Sequence, residues 1–240
     1  VTALIIGNEV LSAKVVDANG AHLLRRCREA GVSVAGVHFV PDDVDAIVEM
    51  VLLARQRSRF VITSGGVGPT HDDVTVRAVS LALGREVVVM EALADQMRSA
   101  HKGMLSAHVL RLAEAPKGSR LVPCQAAGFP VVCCDGVYML PGIPSYFRSH
   151  LEEVLGELPK QLVALKSLYV SLHEADFAEV LEKVANDFPH VRIGSYPAVD
   201  RHVDHRVKLT VEHEDVTCVD SVMKRLREVL PQDGVIREEH

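Results

Sequence analysis

Short apolar runs alternate with helix-like patterns through the first part of the chain. Ala3-Leu-Ile-Ile6, residues 32–40 and Phe60-Val-Ile-Thr63 have the continuous apolar or β-branched character of buried strands. Between them, residues 20–30 and 41–57 carry apolar side chains at helical spacing. Strands that alternate with helices across short loops predict a mostly parallel sheet covered by helices on both faces.

The middle of the chain is less regular. Residues 91–114 are helix-prone but interrupted by Gly103, which indicates a surface excursion over the sheet. Residues 131–134 and 137–140 are apolar runs on either side of Asp135-Gly136, which is a hairpin turn signal. A tight loop, Pro141-Gly-Ile-Pro144, then opens a predicted helix over residues 145–155.

The pattern changes after about residue 158. Alternating strands are predicted at 167–172, 191–196 and 207–212, with amphipathic helices at 175–185 and 216–230, which is a βαββα order. We therefore expect two domains, residues 1–158 and residues 159–240. The fold class is α/β: a three-layer α/β/α domain with a mostly parallel sheet, followed by a small α+β domain.

Composition narrows the function classes. The 240 residues are 48% hydrophobic, which is enough for a sizeable core, and the net charge of −6 disfavours nucleic acid as a partner. Five cysteines without a CxxC motif argue against a disulfide framework or a zinc site. They predict small buried thiols in a reducing cytoplasm. No signal peptide or membrane-spanning apolar run is recognised, so we expect a cytoplasmic protein without a membrane partner.

The stretch Thr63-Ser-Gly-Gly-Val-Gly-Pro-Thr-His-Asp-Asp-Val-Thr75 follows a predicted strand and precedes a predicted helix. Glycines at such a turn let an anion approach backbone N–H groups. Two carboxylates, Asp72 and Asp73, follow at the end of the turn. Phosphate donors beside carboxylates predict a phosphorylated or nucleotide-like ligand, although a plain connector with one aspartate capping the helix is the alternative.

Four motifs in order carry a family resemblance: Ile6-Gly-Asn-Glu-Val-Leu11, Val40-Pro-Asp-Asp43, the glycine-rich stretch and Leu140-Pro-Gly-Ile-Pro144. They resemble the molybdopterin-binding-like fold. That fold is shared by molybdenum-cofactor biosynthesis proteins and by the N-terminal domains of competence/damage-inducible protein CinA and eukaryotic FAD synthetase. The match spans about residues 2–155. The tail, with Gly194-Ser-Tyr-Pro197, looks more like the CinA and FAD-synthetase branch.

The resemblance implies a role for two aspartates, which correspond to Asp42 and Asp73. In the CinA-like branch it implies metal-dependent hydrolysis of a nucleotide pyrophosphate such as ADP-ribose or FAD. The separate adenylyl-transfer domain of a synthetase has no room in 240 residues, so FAD synthesis is not predicted. The family resemblance also implies a homo-oligomer, either a dimer or a trimer. Relatives usually carry Gly-Asp-Glu where this chain has Gly7-Asn8-Glu9, so a metal contact at this position would lose a charge.

These residues define a mechanistic hypothesis. Asp42 orients or deprotonates a water molecule, and a divalent metal (Mg, Mn or Co) is held by oxygen ligands from Asp72, Asp73 and Glu9. The candidate ligand contacts are Gly65, Gly66, Gly68, Pro69, Thr70, Thr75, Asn19, Gly142 and Pro144. Asn19 is equally a candidate N-cap for the helix that follows it. Two other readings stay open: a pterin- or nucleotide-binding protein without turnover, and a structural subunit whose site has decayed.

Histidines supply further candidates. His71 borders the carboxylates and is either an acid, a metal ligand or an exposed loop residue. His202 and His205, with Asp200 and Asp204, resemble metal ligands, but we interpret them as a polar hairpin loop.

Overall fold

The computed structural model describes residues 1–100, 106–161, 163–199 and 202–239. The chain divides into two compact units, Val1–Lys160 and Gln161–His240, which we call the N-terminal and C-terminal units. Two residues named from the sequence, Gly103 and Asp200, lie outside the described residues.

The N-terminal unit is built on a six-stranded sheet in which four neighbouring strands are parallel. The strands described in this unit are β1 (Thr2–Ile6), β2 (Gly36–Val40), β3 (Val61–Ser64), β4 (Val87–Val89), β5 (Glu114–Pro116), β6 (Arg120–Val122), β7 (Val131–Cys134) and β8 (Val137–Leu140). β4 and β5 form a separate two-stranded sheet. The order across the main sheet is β2-β1-β3-β8-β7-β6. Strands β2, β1, β3 and β8 run parallel, whereas β7 and β6 are antiparallel additions. The predicted parallel-rich sheet is confirmed, although β2 is shorter than expected.

Helices cover both faces of this sheet, which confirms the three-layer fold. They are α1 (Asn8–Leu11), α2 (Asn19–Glu29), α3 (Val44–Arg57), α4 (Thr75–Ala82), α5 (Glu91–Ala100), α6 (Ala107–Arg111) and α7 (Pro144–Glu157). Successive strand residues point to opposite faces. Ala3 accordingly belongs to a core with Leu23 of α2 and Phe147 of α7. Leu4 belongs to a second core with Ile47 of α3 and with α4.

The start of α2 corrects one prediction. Asn19 is the first helical residue and Ala18 is the N-cap, so Asn19 is not the predicted N-cap. The N-cap side chain accepts no hydrogen bond from the helix. The Asp17 carboxylate instead accepts hydrogen bonds from the backbone N–H groups of Asn19 (3.0 Å) and Gly20 (3.1 Å). Because Asp17 already satisfies these amides, the Asn19 side chain is free to point elsewhere.

The irregular excursion covers the antiparallel side of the sheet. Within its described residues, α5 and α6 are followed by β5, which pairs antiparallel with β4. Leu93, Ala94 and Ala113 form a small core against Val132 of β7. The predicted position over the sheet is therefore confirmed.

The C-terminal unit is an antiparallel sheet with two helices. Its elements are β9 (Ala164–Val170), α8 (Glu174–Asp187), β10 (Arg192–Pro197), β11 (Val207–His213), α9 (Val216–Val229) and β12 (Val235–Glu239), with strand order β10-β11-β9-β12. Leu168, Leu209, Phe177 and Met223 lie in its core. The predicted βαββα order is confirmed, and β12 is an additional strand that the sequence pattern did not indicate.

All five cysteines are free, and four of them are buried, as predicted. None of the helices in the described segments combines the length and the apolar character needed to cross a bilayer.

Candidate functional site

Four loops meet at one edge of the main sheet. They follow the carboxyl ends of β1, β2, β3 and β8, which lie side by side because these strands are parallel neighbours. Gly7 N donates a hydrogen bond to Val40 O (3.1 Å), and Gly65 N donates one to Leu140 O (3.0 Å). The four motifs of the family resemblance are thus brought together, as expected for ligand sites in open α/β sheets.

The glycine loop, residues 64–75, requires glycine at its start. Gly65 has a φ of +104°, and a Cβ atom there would lie 2.2 Å from Ile6 O. Gly66 has a φ of +67°, and its Cβ would lie 2.3 Å from Thr75 Oγ1. A Cβ on Gly142 would come within 3.3 Å of Gly65 Cα, so the second loop packs directly on the first. These contacts leave no room for a side chain at the turn.

The loop amides are not equivalent. The Gly65 amide, predicted as an anion donor, is already used by Leu140 O and is not available to a ligand. The amides of Gly66 and Gly68 donate no hydrogen bond to any described residue. Gly68 also lies against Asp73, whose Oδ2 would be 2.6 Å from a Cβ atom at this position. The donors of the loop are therefore Gly66 and Gly68 rather than all three predicted glycines.

Thr75 stabilises the start of the glycine loop through two hydrogen bonds. It is completely buried, its hydroxyl donates to Gly65 O (2.8 Å), and its amide donates to Gly66 O (2.9 Å). The hydroxyl predicted to contact a ligand is thus used inside the loop, so Thr75 is a positioning residue.

Asn19 joins the two loops. Its side chain is buried, and Nδ2 donates to Ser64 Oγ (2.9 Å) and to Gly142 O (2.7 Å). Its Oδ1 accepts no hydrogen bond from the described residues. Asn19 therefore fixes the spacing between the end of β3 and the second loop, where Pro144 begins α7.

Carboxylates from two other loops, Glu9 after β1 and Asp72 and Asp73 of the glycine loop, lie near Asp42. Asp42 is half-buried, and its Oδ2 accepts a hydrogen bond from the backbone N–H of Asn8 (2.7 Å). Burial raises the pKa of Asp42, and the negative charges of Glu9, Asp72 and Asp73 raise it further, while the Asn8 amide opposes them. The structure thus brings together the four acidic residues predicted from the sequence.

Thr70 organises the other end of the glycine loop. Its amide donates to Asp73 Oδ2 (2.8 Å), and its hydroxyl oxygen lies 2.5 Å from the same atom and 2.6 Å from Asp72 Oδ1. The hydrogen bond from Thr70 is the main cause that lowers the pKa of Asp72. A hydroxyl has one proton, so it satisfies only one of these two carboxylates at a time. Pro69 lies beside them, and His71 is almost fully exposed, 3.9 Å from Asp72 Oδ1.

The acidic residues fit a metal site whose coordination is completed by the phosphates of a bound substrate and by water. In the segments that the structure describes, no three His, Cys, Asp or Glu side chains form a ready-made metal-binding group. Mg²⁺, however, is commonly held by one or two carboxylates plus substrate phosphates and water. Asp72, Asp73 and Glu9 offer the hard oxygen donors that such a site uses. Metal binding by these residues stays a prediction.

Arg111 of α6 is a site residue that the sequence did not indicate. Its guanidinium donates to Pro69 O (3.5 Å) and to Asp73 O (3.3 Å). The contact spans about forty positions of the chain, and no motif surrounds Arg111, so only the fold reveals it. The excursion is thereby attached to the glycine loop.

The second histidine cluster lies far from these loops in the chain. His202 and His205 belong to the connection between β10 and β11, where His205 Nδ1 is 3.0 Å from Asp204 Oδ1. The His205 ring also packs edge-on against Tyr169.

Comparisons with known proteins agree with this architecture. Residues 2–160 match the family described as the probable molybdopterin binding domain, and residues 162–239 match the middle domain of FAD synthase. The chain is 30% identical over 269 residues to a probable FAD synthase of Caenorhabditis elegans, covering 99% of this chain and 51% of that protein. It is 39% identical over 196 residues to a CinA-like protein of Geobacter sp., covering 76% of this chain and 47% of that protein.

The chain therefore spans about half the length of each of these two relatives. A crystal structure of the protein CinA from Thermoplasma acidophilum superimposes with a TM-score of 0.61 at 26% identity, covering 65% of this chain and 95% of that one. The resemblance predicted from the motifs is confirmed. The chain belongs to the family of the probable molybdopterin binding domain, its relatives include CinA-like proteins and FAD synthases, and its C-terminal unit matches the FAD synthase middle domain.

Proposed function

We propose that the N-terminal unit hydrolyses the pyrophosphate bond of a nucleotide such as FAD or ADP-ribose, with a divalent metal. One observation carries this proposal: the unpaired loop amides of Gly66 and Gly68 lie at the same sheet edge as the carboxylates around Asp42. Pyrophosphate cleavage needs both, because the phosphoryl oxygens must be held while a water molecule is activated.

Each residue of the candidate site has a separate role in the proposed reaction. The amides of Gly66 and Gly68 bind one phosphate, and Asn19 and Thr75 keep the two loops at the required spacing. Asp42 is the base that takes a proton from the attacking water, and a pKa above that of an ordinary aspartate makes it a stronger base. The Asn8 amide fixes one oxygen of Asp42 and leaves the other for the water.

The metal belongs to the carboxylates of the loop. Asp72, Asp73 and Glu9 would hold it, and when bound it neutralises charge that develops on the phosphoryl oxygens. We propose Mg, Mn or Co because all the donors are oxygens.

A second candidate function is binding of a pterin or nucleotide without turnover. It is favoured by the lack, among the described residues, of a ready-made group of three metal ligands. Asn8 favours it as well, since its side chain lacks the charge that relatives carry there.

Self-association is part of the proposal. Three large apolar side chains, Leu11, Val16 and Phe39, are 51%, 88% and 49% exposed near the β1 and β2 loops. Such exposure in one region is typical of a protein–protein contact.

The test is product formation. The purified protein is incubated with FAD, ADP-ribose or NAD, each with Mg²⁺, Mn²⁺ or Co²⁺, and AMP is resolved by chromatography. We expect AMP from wild type, and a loss of about 10²-fold or more in Asp42→Asn. Asp45→Asn is the matched control, because Asp45 is an exposed carboxylate three residues after Asp42, in the first turn of α3.

The outcomes separate the candidates. No AMP with any metal, together with thermal stabilisation by the nucleotide, would reject hydrolysis and support binding alone. Equal loss in Asp42→Asn and Asp45→Asn would remove the assignment of the base to Asp42.

A further inference from the structure

A cavity of about 180 Å³ lies beside the glycine loop in the N-terminal unit. Val67 of the glycine loop and Pro141 of the second loop form one wall, and Met97 of α5 lies on the excursion side. Phe129 adds an aromatic wall, and the remaining contacts are mainly aliphatic side chains of the sheet and of α4–α6. The cavity is thus a mainly apolar chamber that is bordered by both loops of the candidate site.

The volume decides how much of a ligand the cavity accepts. Pockets that enclose a whole drug-sized ligand measure about 300–1,000 Å³. A cavity of about 180 Å³ therefore accepts one ring system and not a complete dinucleotide. Since its wall is shared with the phosphate-binding loops, that ring system is one attached to the phosphates.

The aromatic wall is held in place. Phe129 packs edge-on against Tyr146 at 5.2 Å and against His150 at 4.6 Å between ring centroids. His150 is completely buried and its Nε2 lies 2.9 Å from Phe129 O, which fixes the backbone as well. A fixed aromatic ring in the wall is a suitable neighbour for a planar heterocycle.

Two charged residues complete the lining. Arg111 is tied to the carbonyl groups of Pro69 and Asp73, so it connects the cavity with the glycine loop. Glu114 supplies a carboxylate, which accepts but does not donate hydrogen bonds when ionised. An exocyclic amine such as the N6 amine of adenine donates to such a group.

We propose that this cavity binds the adenine ring of the nucleotide, with Glu114 as the acceptor for its amine and with side chains of α5 and of α6 in its wall. FAD and ADP-ribose share the adenosine diphosphate half, so one cavity serves both substrates. The inference rests on the proposed function in taking the ligand to be an adenine nucleotide.

The test fills the cavity from the excursion side. Met97→Trp places a large ring in the chamber, and Gln96→Trp is the matched control because Gln96 is exposed on the same helix. Affinity for AMP and for FMN is measured by titration calorimetry in the full chain without turnover. We expect Met97→Trp to weaken AMP binding by about tenfold or more. Gln96→Trp should bind AMP with the same affinity as wild type. Glu114→Leu, which removes the acceptor at similar volume, should weaken AMP binding without changing FMN binding.

Other results overturn the proposal. Unchanged AMP affinity in Met97→Trp, or FMN binding that is lost in Met97→Trp while AMP binding persists, would reject adenine as the occupant. Thermal unfolding of both tryptophan variants identifies a loss that comes from misfolding, and Glu114→Leu then supplies the deciding measurement.

The same measurements separate this inference from the proposed function. AMP binding that depends on Met97 in a protein without hydrolysis supports the cavity and rejects the pyrophosphatase. Hydrolysis with unchanged AMP affinity and KM in Met97→Trp supports the pyrophosphatase and rejects the cavity.

Discussion

Gly65 is the residue where the site tolerates a side chain least. Both its backbone conformation and the space around it exclude a Cβ atom, since Ile6 O would lie 2.2 Å away. Gly84 has a similar left-handed backbone, with φ +63°, but nothing lies within 4 Å of its Cβ position. Alanine substitutions at Gly65 and Gly84 therefore distinguish the cost of backbone strain alone from the added cost of a steric clash.

We expect Gly84→Ala to lower the free energy of unfolding by about 1–2 kcal/mol, the cost of the left-handed conformation. Gly65→Ala should cost about 3 kcal/mol or more, because β1 must also move away from the loop. Urea unfolding of both variants measures the difference. Equal losses would show that the loop shifts freely to accept the methyl group.

Thr75 allows a second prediction for single residues. Thr75→Val keeps the shape but leaves Gly65 O without its buried hydroxyl donor, so we expect a loss of about 1–3 kcal/mol in unfolding free energy. Thr75→Ser keeps the hydroxyl and should lose less. If serine costs more than valine, the methyl group and not the hydrogen bond is the main stabilising contact of Thr75.

At the scale of elements, α7 is fixed to the sheet at the end opposite to the site. Glu157 accepts hydrogen bonds from Tyr138 Oη (3.0 Å) and from Arg120 (2.9 Å), which joins α7 to β8 and β6. The hydrogen bond from Arg120 is the main cause that holds the pKa of Glu157 below its ordinary value. Because α7 begins at Pro144 of the second loop, this network supports the loop indirectly.

The depressed pKa of Glu157 gives a pH-dependent prediction. A carboxyl whose pKa is lowered by folding contributes stability above its unfolded pKa, near 4.3, and that contribution is lost as the pH falls through the folded pKa. We expect Glu157→Gln to lower the unfolding free energy by about 1 kcal/mol at pH 7, a figure reduced for partial exposure. The difference from wild type should shrink below about pH 4.

Glu153 is the matched control for this measurement, since it is exposed on the same helix. Glu153→Gln should leave the pH dependence of urea unfolding unchanged. A Glu157→Gln effect that persists at low pH would mean that lost packing, and not the ionised carboxylate, is responsible.

The elements that the sequence predicted are those whose signal is local. Strand β1, the hairpin of β7 and β8, and the Pro144 start of α7 all follow from short patterns or turn residues. β12 was missed because Val235-Ile-Arg-Glu-Glu239 is largely charged, and its strand form depends on pairing with β9. The Arg111 contact was missed for the same reason, since it depends on the tertiary fold.

At the scale of the whole molecule, the candidate site lies in the N-terminal unit, and the C-terminal unit has a separate core. Every residue with a role in the proposed hydrolysis lies between Asn8 and Pro144, within the N-terminal unit. The C-terminal unit has its own core, which includes Leu209. The boundary between the units could be predicted from the change of pattern near residue 158. A function for the C-terminal unit could not be predicted, because we recognised no motif there comparable to the glycine-rich stretch.

The separation gives a prediction for catalysis. Leu4 and Leu209 are both completely buried, Leu4 in β1 beneath the site and Leu209 in β11 of the C-terminal unit. Truncation of either to alanine should cost about 2–5 kcal/mol in the unit that contains it. We expect Leu4→Ala to raise KM for the nucleotide, because β1 carries the Gly7 and Asn8 turn, and Leu209→Ala to leave KM unchanged.

Both variants are assayed for AMP release at a temperature where circular dichroism shows them folded. Calorimetric scans identify which transition each substitution moves, since two units with separate cores need not unfold together. If Leu209→Ala raised KM as much as Leu4→Ala while the transition of the N-terminal unit stayed in place, the C-terminal unit would have to contribute to substrate binding. The assignment of the whole site to residues 1–160 would then be wrong, whatever the loops at the sheet edge contribute.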